Sequence, residues 1–131
     1  MKSNLDKHFK PSEELEKNGV WFDLDDNTGF LVRPFKATNP KVKSAIAIHF
    51  KPYARQIEMG TLPEEKVQEV NMKVFIASSL VDWRGIEIDG VKTDYNPEVA
   101  LKLFKSMPDL FTTLFDYASS FKNFKEEVGN S

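Results

Sequence analysis

Few side chains in this sequence have the type and spacing that catalysis or metal binding requires. A catalytic centre needs a nucleophile with its base, paired carboxylates, or metal ligands within mutual reach. The sequence holds two histidines, His8 and His49, and no cysteine. Disulfides, thiolate chemistry and cysteine zinc sites are therefore excluded. His49 falls on or beside the apolar face of a helix with no Ser or Cys motif near it, so it reads as a partly buried histidine that hydrogen-bonds locally. His8 stands in a polar arm with still less around it. Asp23, Asp25 and Asn27 alternate like the first ligands of a calcium loop. Such a loop wants Gly at its sixth place and a bidentate Glu at its twelfth, and those places hold Thr28 and Pro34. A polar hairpin turn accounts for the spacing better. Asp82, Glu87, Asp89 and Asp94 gather around a second turn, but nothing fixes them on one face, and a solvated hairpin tip is the simpler reading. There is no glycine-rich phosphate loop and no dinucleotide fingerprint. The expectation is a protein that is not an enzyme and carries neither cofactor nor metal.

What remains is apolar. Phe104, Phe111, Phe115, Phe121 and Phe124 crowd together with Leu101, Leu103, Leu110 and Leu114. A helix buries one stripe, and Leu101, Phe104, Phe111 and Phe124 cannot all share the stripe of their neighbours. The surplus is expected to form a groove or dimer face for another helix. Trp83, beside Gly85, reads first as a core plug under a small hairpin and second as a binding anchor, a role in which Trp is enriched. The candidate partner-binding residues are thus Leu101, Phe104, Phe111, Phe124 and Trp83. Lys36, Lys41, Lys43, Lys51 and Arg55 give one helix a mildly basic face. Glu58, Glu64 and Glu65 follow at once, which suits a solvated face rather than a nucleic-acid footprint.

The elements that must position these residues are legible in outline. The 131 residues suit one domain, and 40% hydrophobic with 29% charged residues is ordinary for a globular chain. The net charge of -2 gives no strong attraction to phosphate. No apolar run reaches the ~20 residues of a membrane span, and MKSNLDKHFK lacks a signal-peptide centre, so a cytosolic address is expected. Residues 1–18 are read as a flexible arm in which Ser12, Glu13 and Glu14 could open one helical turn. Residues 19–124 are read as a single, mainly helical domain, and 125–131 as a flexible tail. Val20–Leu24 and Phe30–Phe35 flank a polar loop and predict a β-hairpin, with Pro34 marking an edge strand or a strand end.

Asn39 and Pro40 predict the start of a first helix whose apolar face is Val42, Ile46, Phe50, Tyr53 and Ile57, broken near His49–Lys51 by Pro52. Thr61–Glu64 has capping-box spacing. It introduces a second helix with the stripe Val67, Val70, Val74, Ala77 and Val81, ending at Trp83–Gly85. Asp89-Gly90 predicts a tight hairpin turn. Asn96-Pro97 caps a third helix, and Ser106–Asp109 opens a fourth with the stripe Leu110, Phe111, Leu114, Phe115, Ala118 and Phe121. The fold class is mainly α (α+β): about four helices, an N-terminal β-hairpin and a small inserted β-hairpin.

The order of these features resembles a known family. Asn18-Gly19-Val20-Trp21-Phe22, then Asn39-Pro40-Lys41 running to Lys51-Pro52-Tyr53, precede Val81-Asp82-Trp83-Arg84-Gly85-Ile86 and the Asp89-Gly90 turn. Tyr95-Asn96-Pro97-Glu98, Ala100-Leu101, Pro108-Asp109-Leu110-Phe111 and a closing segment from Ala118 to Phe124 follow. The pattern is similar to the tail assembly chaperones of long-tailed (siphovirus-type) bacteriophages over roughly 18–124, with Asp-Trp-x-Gly-Ile its most telling part. The resemblance implies a mainly α, non-enzymatic protein that binds the long, helix-rich tape-measure protein, keeps it soluble and helps recruit tail-tube protein. It implies action in the host cytoplasm and absence from the mature virion. A homo-oligomer would use the same kind of apolar surface. Members of such families exist in a form extended by a second domain, and this sequence shows no sign of that domain. The resemblance brings no fixed set of binding residues, so the five candidates rest on the apolar surplus.

Overall fold

A computed structural model describes residues 3–5 and 12–125. Residues 1–2 and 6–11 of the expected arm, His8 among them, and residues 126–131 of the expected tail lie outside the described residues. Within the arm, α1 (Glu13–Asn18) is a short helix capped by Ser12, whose hydroxyl accepts from the Leu15 N–H. The Ser12 N–H donates to the Phe124 carbonyl oxygen at 2.8 Å, and Arg33 Nε donates to the Lys17 carbonyl oxygen at 2.7 Å. One side-chain and one backbone hydrogen bond thus tie α1 and its cap to Arg33 and to the end of the domain.

The first hairpin forms where alternation and the polar loop require it. Strand β1 (Val20–Asp23) pairs antiparallel with β2 (Gly29–Val32), Val20 opposite Val32 and Phe22 opposite Phe30. The turn between them is held by the Asp25 carboxylate, which accepts from the N–H groups of Asn27 and Thr28 at 2.8 Å each. These hydrogen bonds, that from Asn27 foremost, hold its carboxyl below the usual range. The alternating acids therefore build a turn. Pro34 does mark a strand end, but β2 is the central strand, because β3 (Leu80–Arg84) pairs with its other edge. Leu80–Arg84 is accordingly a strand, and the second helix does not extend into it.

Four helices of ten residues or more pack beside this sheet. Helix α2 (Pro40–Phe50) starts with the Asn39 side chain accepting from the Lys41 N–H. At Pro52 the chain tightens into a 3₁₀ turn (Lys51–Tyr53) and resumes as α3 (Ala54–Glu58), as a proline inside a helical pattern demands. Helix α4 (Glu64–Ser78) has Pro63 as its N-cap and no side-chain cap. The expected capping box does not form, because Thr61 is engaged with the Gln56 carbonyl oxygen at the end of α3. A tight hairpin of β4 (Glu87–Ile88) and β5 (Val91–Lys92) follows. Its Asp89 and Gly90 both have positive φ, 53° and 77°, the geometry of a type I′ turn. Helix α5 (Pro97–Ser106) is capped by the Asn96 carboxamide, as read from the sequence. Helix α6 (Pro108–Ala118) has Met107 rather than Ser106 at its N-cap; the Ser106 hydroxyl instead donates to the Leu103 carbonyl oxygen. A 3₁₀ turn (Phe121–Asn123) closes the chain onto Phe124. The fold is mainly α with two small antiparallel sheets.

The core sits where α4, α5 and α6 meet the sheet, and it absorbs the supposed surplus of aromatic residues. Phe104 and Phe124 are fully buried, Phe111 is 6% exposed and Trp83 is 5% exposed. The burial of Phe104, Phe111 and Phe124 corrects the expectation of an exposed apolar face, whereas Trp83 takes its first reading, a core plug under the small hairpin. A single helix offers one stripe, but α4 is buried through Val70, Met72, Val74, Phe75 and Ile76 on several sides at once. It therefore accepts side chains from α5 and α6 together. Phe124 closes the bottom of this core, 6.3 Å from Tyr117 ring to ring. Trp83 stacks edge-on against Phe30 and Tyr95, and its indole N–H donates to the Thr93 carbonyl oxygen at 2.8 Å, fixing the β4–β5 hairpin. Ala77, expected in the buried stripe of α4, faces solvent.

Candidate functional site

With the aromatic residues inside, the accessible apolar surface lies on a different element. Helix α2 buries only Val42 and Ala45. Its packing partners form a small cluster of Ala45, Val70 and Val74, joined by the half-buried Phe35, Phe50 and Tyr53. Ile46, Ile48, Ile57 and Met59 along α2 and α3 are exposed, Ile46 at 38%. A helix so loosely seated leaves a gap on each side.

The first gap is a groove of about 380 Å³ between α2, α4 and α6. Ile46 and Phe50 form one wall, Phe111, Thr112 and Phe115 the other, Val74 and Phe35 the floor, with the amides of Gln68 and Asn71 at the mouth. Phe35 and Phe115 pack at 4.9 Å between ring centroids and stiffen that floor. The two walls run in opposite directions. The start of α2 shares a depression with Ser78 at the end of α4, and Tyr53 beyond its end lies under Lys66 at the start of α4. Helix α6, by contrast, begins with Pro108 beside Met72 and proceeds towards Phe35. Their outer charges differ in sign: α2 carries Lys41 and Lys43 with no acidic residue, and Lys51 and Arg55 continue it, whereas α6 exposes Asp109 and Asp116. Among the described residues no ion pair spans the groove.

The second gap, about 470 Å³, opens on the other side of α2 over Ile76, Ala77, Leu80 and Leu101, with His49, Lys73, Tyr95 and Glu98 around it. Leu101 is half-buried here, so it is the one candidate of the five with a substantial accessible side chain; the rim of Phe111 reaches the first groove. Burial pushes the Tyr95 phenol up to about 12, and the nearby Asp82 carboxylate acts in the same direction. An unfolded tyrosine loses its proton near pH 10 (~10). Between that pH and about 12 the folded chain therefore holds a proton that the unfolded chain has released. Stability from this group is complete below the lower value and lost as pH rises through the window. Spectrophotometric titration of the folded protein should show a tyrosine ionising last, near 12, and its loss in Tyr95→Phe. Retention of that late step in Tyr95→Phe would contradict the assignment.

Among the described residues no group of three or more His, Cys, Asp or Glu side chains is placed to hold a metal ion. No helix among them is long and apolar enough to cross a membrane. A third depression, beside Met72 and Pro108, is dominated by Glu69, which pairs with Lys66 at 3.2 Å, Lys73 at 3.7 Å and Lys105 at 3.8 Å. The hydrogen bond from Lys66 leads in keeping the Glu69 carboxyl below its ordinary value.

Sequence reasoning places Ile46 and Phe50 with Val42 on one apolar face of the first helix and so does not find the groove. The available signal was the pairing of Val42 with Ala45: so small a contact surface leaves the larger residues farther along the helix uncovered. Comparison with known proteins gives one finding. The family model described as YdaY prophage protein matches residues 37–130, which include α2 to α6 and so every wall of the groove. No curated protein and no solved structure matches the chain.

Proposed function

From the premise that this chain belongs to the YdaY prophage protein family and is phage-derived, we propose that it is a tail assembly chaperone. It is non-enzymatic, binds the tape-measure protein, keeps that long helical chain soluble and helps bring tail-tube protein to it. It acts in the host cytoplasm during assembly and leaves before the virion is complete. The observation that carries this reading is the groove between α2, α4 and α6, an open apolar seat on a domain whose core takes in Phe30, Phe75, Phe104 and Phe124. Helix-in-groove recognition uses side chains at i, i+3, i+4 and i+7 of an amphipathic partner. Many shallow seats of this kind, one per copy, suit reversible coverage of a long helix better than a single deep anchor does.

The test is co-expression with the helix-rich protein encoded next to it in the phage genome, scored by solubility and co-purification. The long chain should become soluble only with this partner. Ile46→Glu, at an exposed position, should reduce the soluble fraction at least several-fold while circular dichroism stays native. A charge at Phe111 or Phe124 is not a usable probe, since both side chains are in the core. Equal solubility with and without the protein, or full activity of Ile46→Glu, would overturn the groove-based chaperone. Many copies in purified particles would mark a structural tail component instead.

A further inference from the structure

Resting on the chaperone reading, we propose that the groove selects an amphipathic helix with one acidic flank and one basic flank, the acidic flank lying against α2 and the basic flank against α6. The apolar walls set by Ile46, Phe50 and Phe115 accept a stripe of side chains but do not distinguish one apolar helix from another. The rims do. Lys43 stands one turn before Ile46 on the same side of α2, and Lys51 follows Phe50. Asp109 and Asp116 stand one turn either side of Thr112 on α6. All four are exposed.

Because α2 and α6 are antiparallel, Lys43 and Asp116 mark one end of the groove, Lys51 and Asp109 the other. Each end therefore presents both signs, and a helix charged alike on both flanks meets repulsion along one wall wherever it lies. Exposed rim charges contribute more to choice of partner and to encounter than to affinity. For a helix with mixed flanks, the order of the flanks also fixes its direction along the groove: turning the helix end for end exchanges the two sides.

Three synthetic helical peptides with one shared apolar stripe test this on the full chain, their flanks being acidic and basic, both acidic, or both basic. Binding is read by fluorescence anisotropy at low salt. The mixed peptide should bind about fivefold more tightly than either uniform one, the size of a few exposed ion pairs together. The preference should fade in high salt. In Lys43→Glu/Lys51→Glu both rims are acidic, and the preferred peptide should become the both-basic one. Equal binding of all three peptides, or an unchanged preference in the double variant, overturns the inference while leaving the chaperone reading intact. No peptide binding, with the tape-measure chain still solubilised, overturns the groove as the seat. No peptide binding and no solubilisation overturns both. Self-association that Ile46→Glu dissolves, with peptides excluded, assigns the groove to a second copy and likewise overturns the inference.

Discussion

Phe75→Ala should lower the free energy of unfolding by about 3–5 kcal/mol, the range for a phenylalanine removed from a packed core. Phe75 is fully buried near the C-terminal end of α4 and is the hub of the aromatic cluster. Its ring centroid lies 5.7 Å from Phe111, 6.0 Å from Phe35, 6.2 Å from Phe115 and 6.3 Å from Phe104. Those rings come from α5, α6 and the chain after β2, so no single element can move inward to fill the space left behind. A domain of this size is stable by about 5–15 kcal/mol in all, so the loss is a large share of the total. Urea unfolding followed by circular dichroism measures it. A loss under about 1.5 kcal/mol would mean that the rings repack around the gap and do not form one unit. The substitution also bears on function: Phe111 and Phe115 pack on Phe75 and also form one wall of the groove. On the proposed chaperone reading, an Ala variant that remains folded should bind a groove helix less well, although Phe75 is not among the residues lining the groove.

How much of this was readable in advance follows from how local each signal is. The Asn39 and Asn96 caps, the Pro52 break and the Asp89-Gly90 turn depend on residues within one turn of chain, and each stands where the sequence places it. Leu80–Arg84 failed for a specific reason. Leu80 and Trp83 are both buried, three residues apart, which is helical spacing; a regular strand would turn them to opposite faces. The register of β3 against β2 shifts between Leu31 and Val32, so that Trp83 lies opposite Phe30 and Leu80 opposite Val32. The extra residue, Val81, is a bulge, and it puts two residues of odd separation on one face. Strand pairing across nearly fifty residues decides that pattern, and periodicity within a window cannot carry it. The exposed apolar surface is misplaced by a related error. Counting aromatic residues against one stripe per helix overstates the surplus when a central helix such as α4 is covered on several sides. The same count understates what a thinly packed helix such as α2 leaves open.

Gly85→Ala should cost about 2–5 kcal/mol, the sum of a left-handed backbone and a forced displacement of packed atoms. Gly85 follows β3 at φ +69°, and a Cβ placed on it would overlap the Asn27 carbonyl oxygen at the tip of the first hairpin. The neighbouring Thr28 hydroxyl donates to the Gly85 carbonyl oxygen at 3.4 Å, so the two backbones are held together at that point. Gly60 supplies the control. Its φ is +68°, yet nothing lies within 4 Å of its would-be Cβ, so Gly60→Ala should lose only the conformational part, about 1–2 kcal/mol. The difference between the two variants in urea unfolding isolates the contact with Asn27. Equal losses would mean that the hairpin tip yields and that the contact restrains nothing. A larger loss at Gly85 explains the Asp-Trp-x-Gly-Ile run by packing alone. Trp83 fastens the small hairpin through Thr93, Gly85 lets β3 pass the tip of the first hairpin, and Ile86 enters the core. The run that most resembles a chaperone is then the part that shapes the domain, while the proposed groove lies apart from it, between α2, α4 and α6.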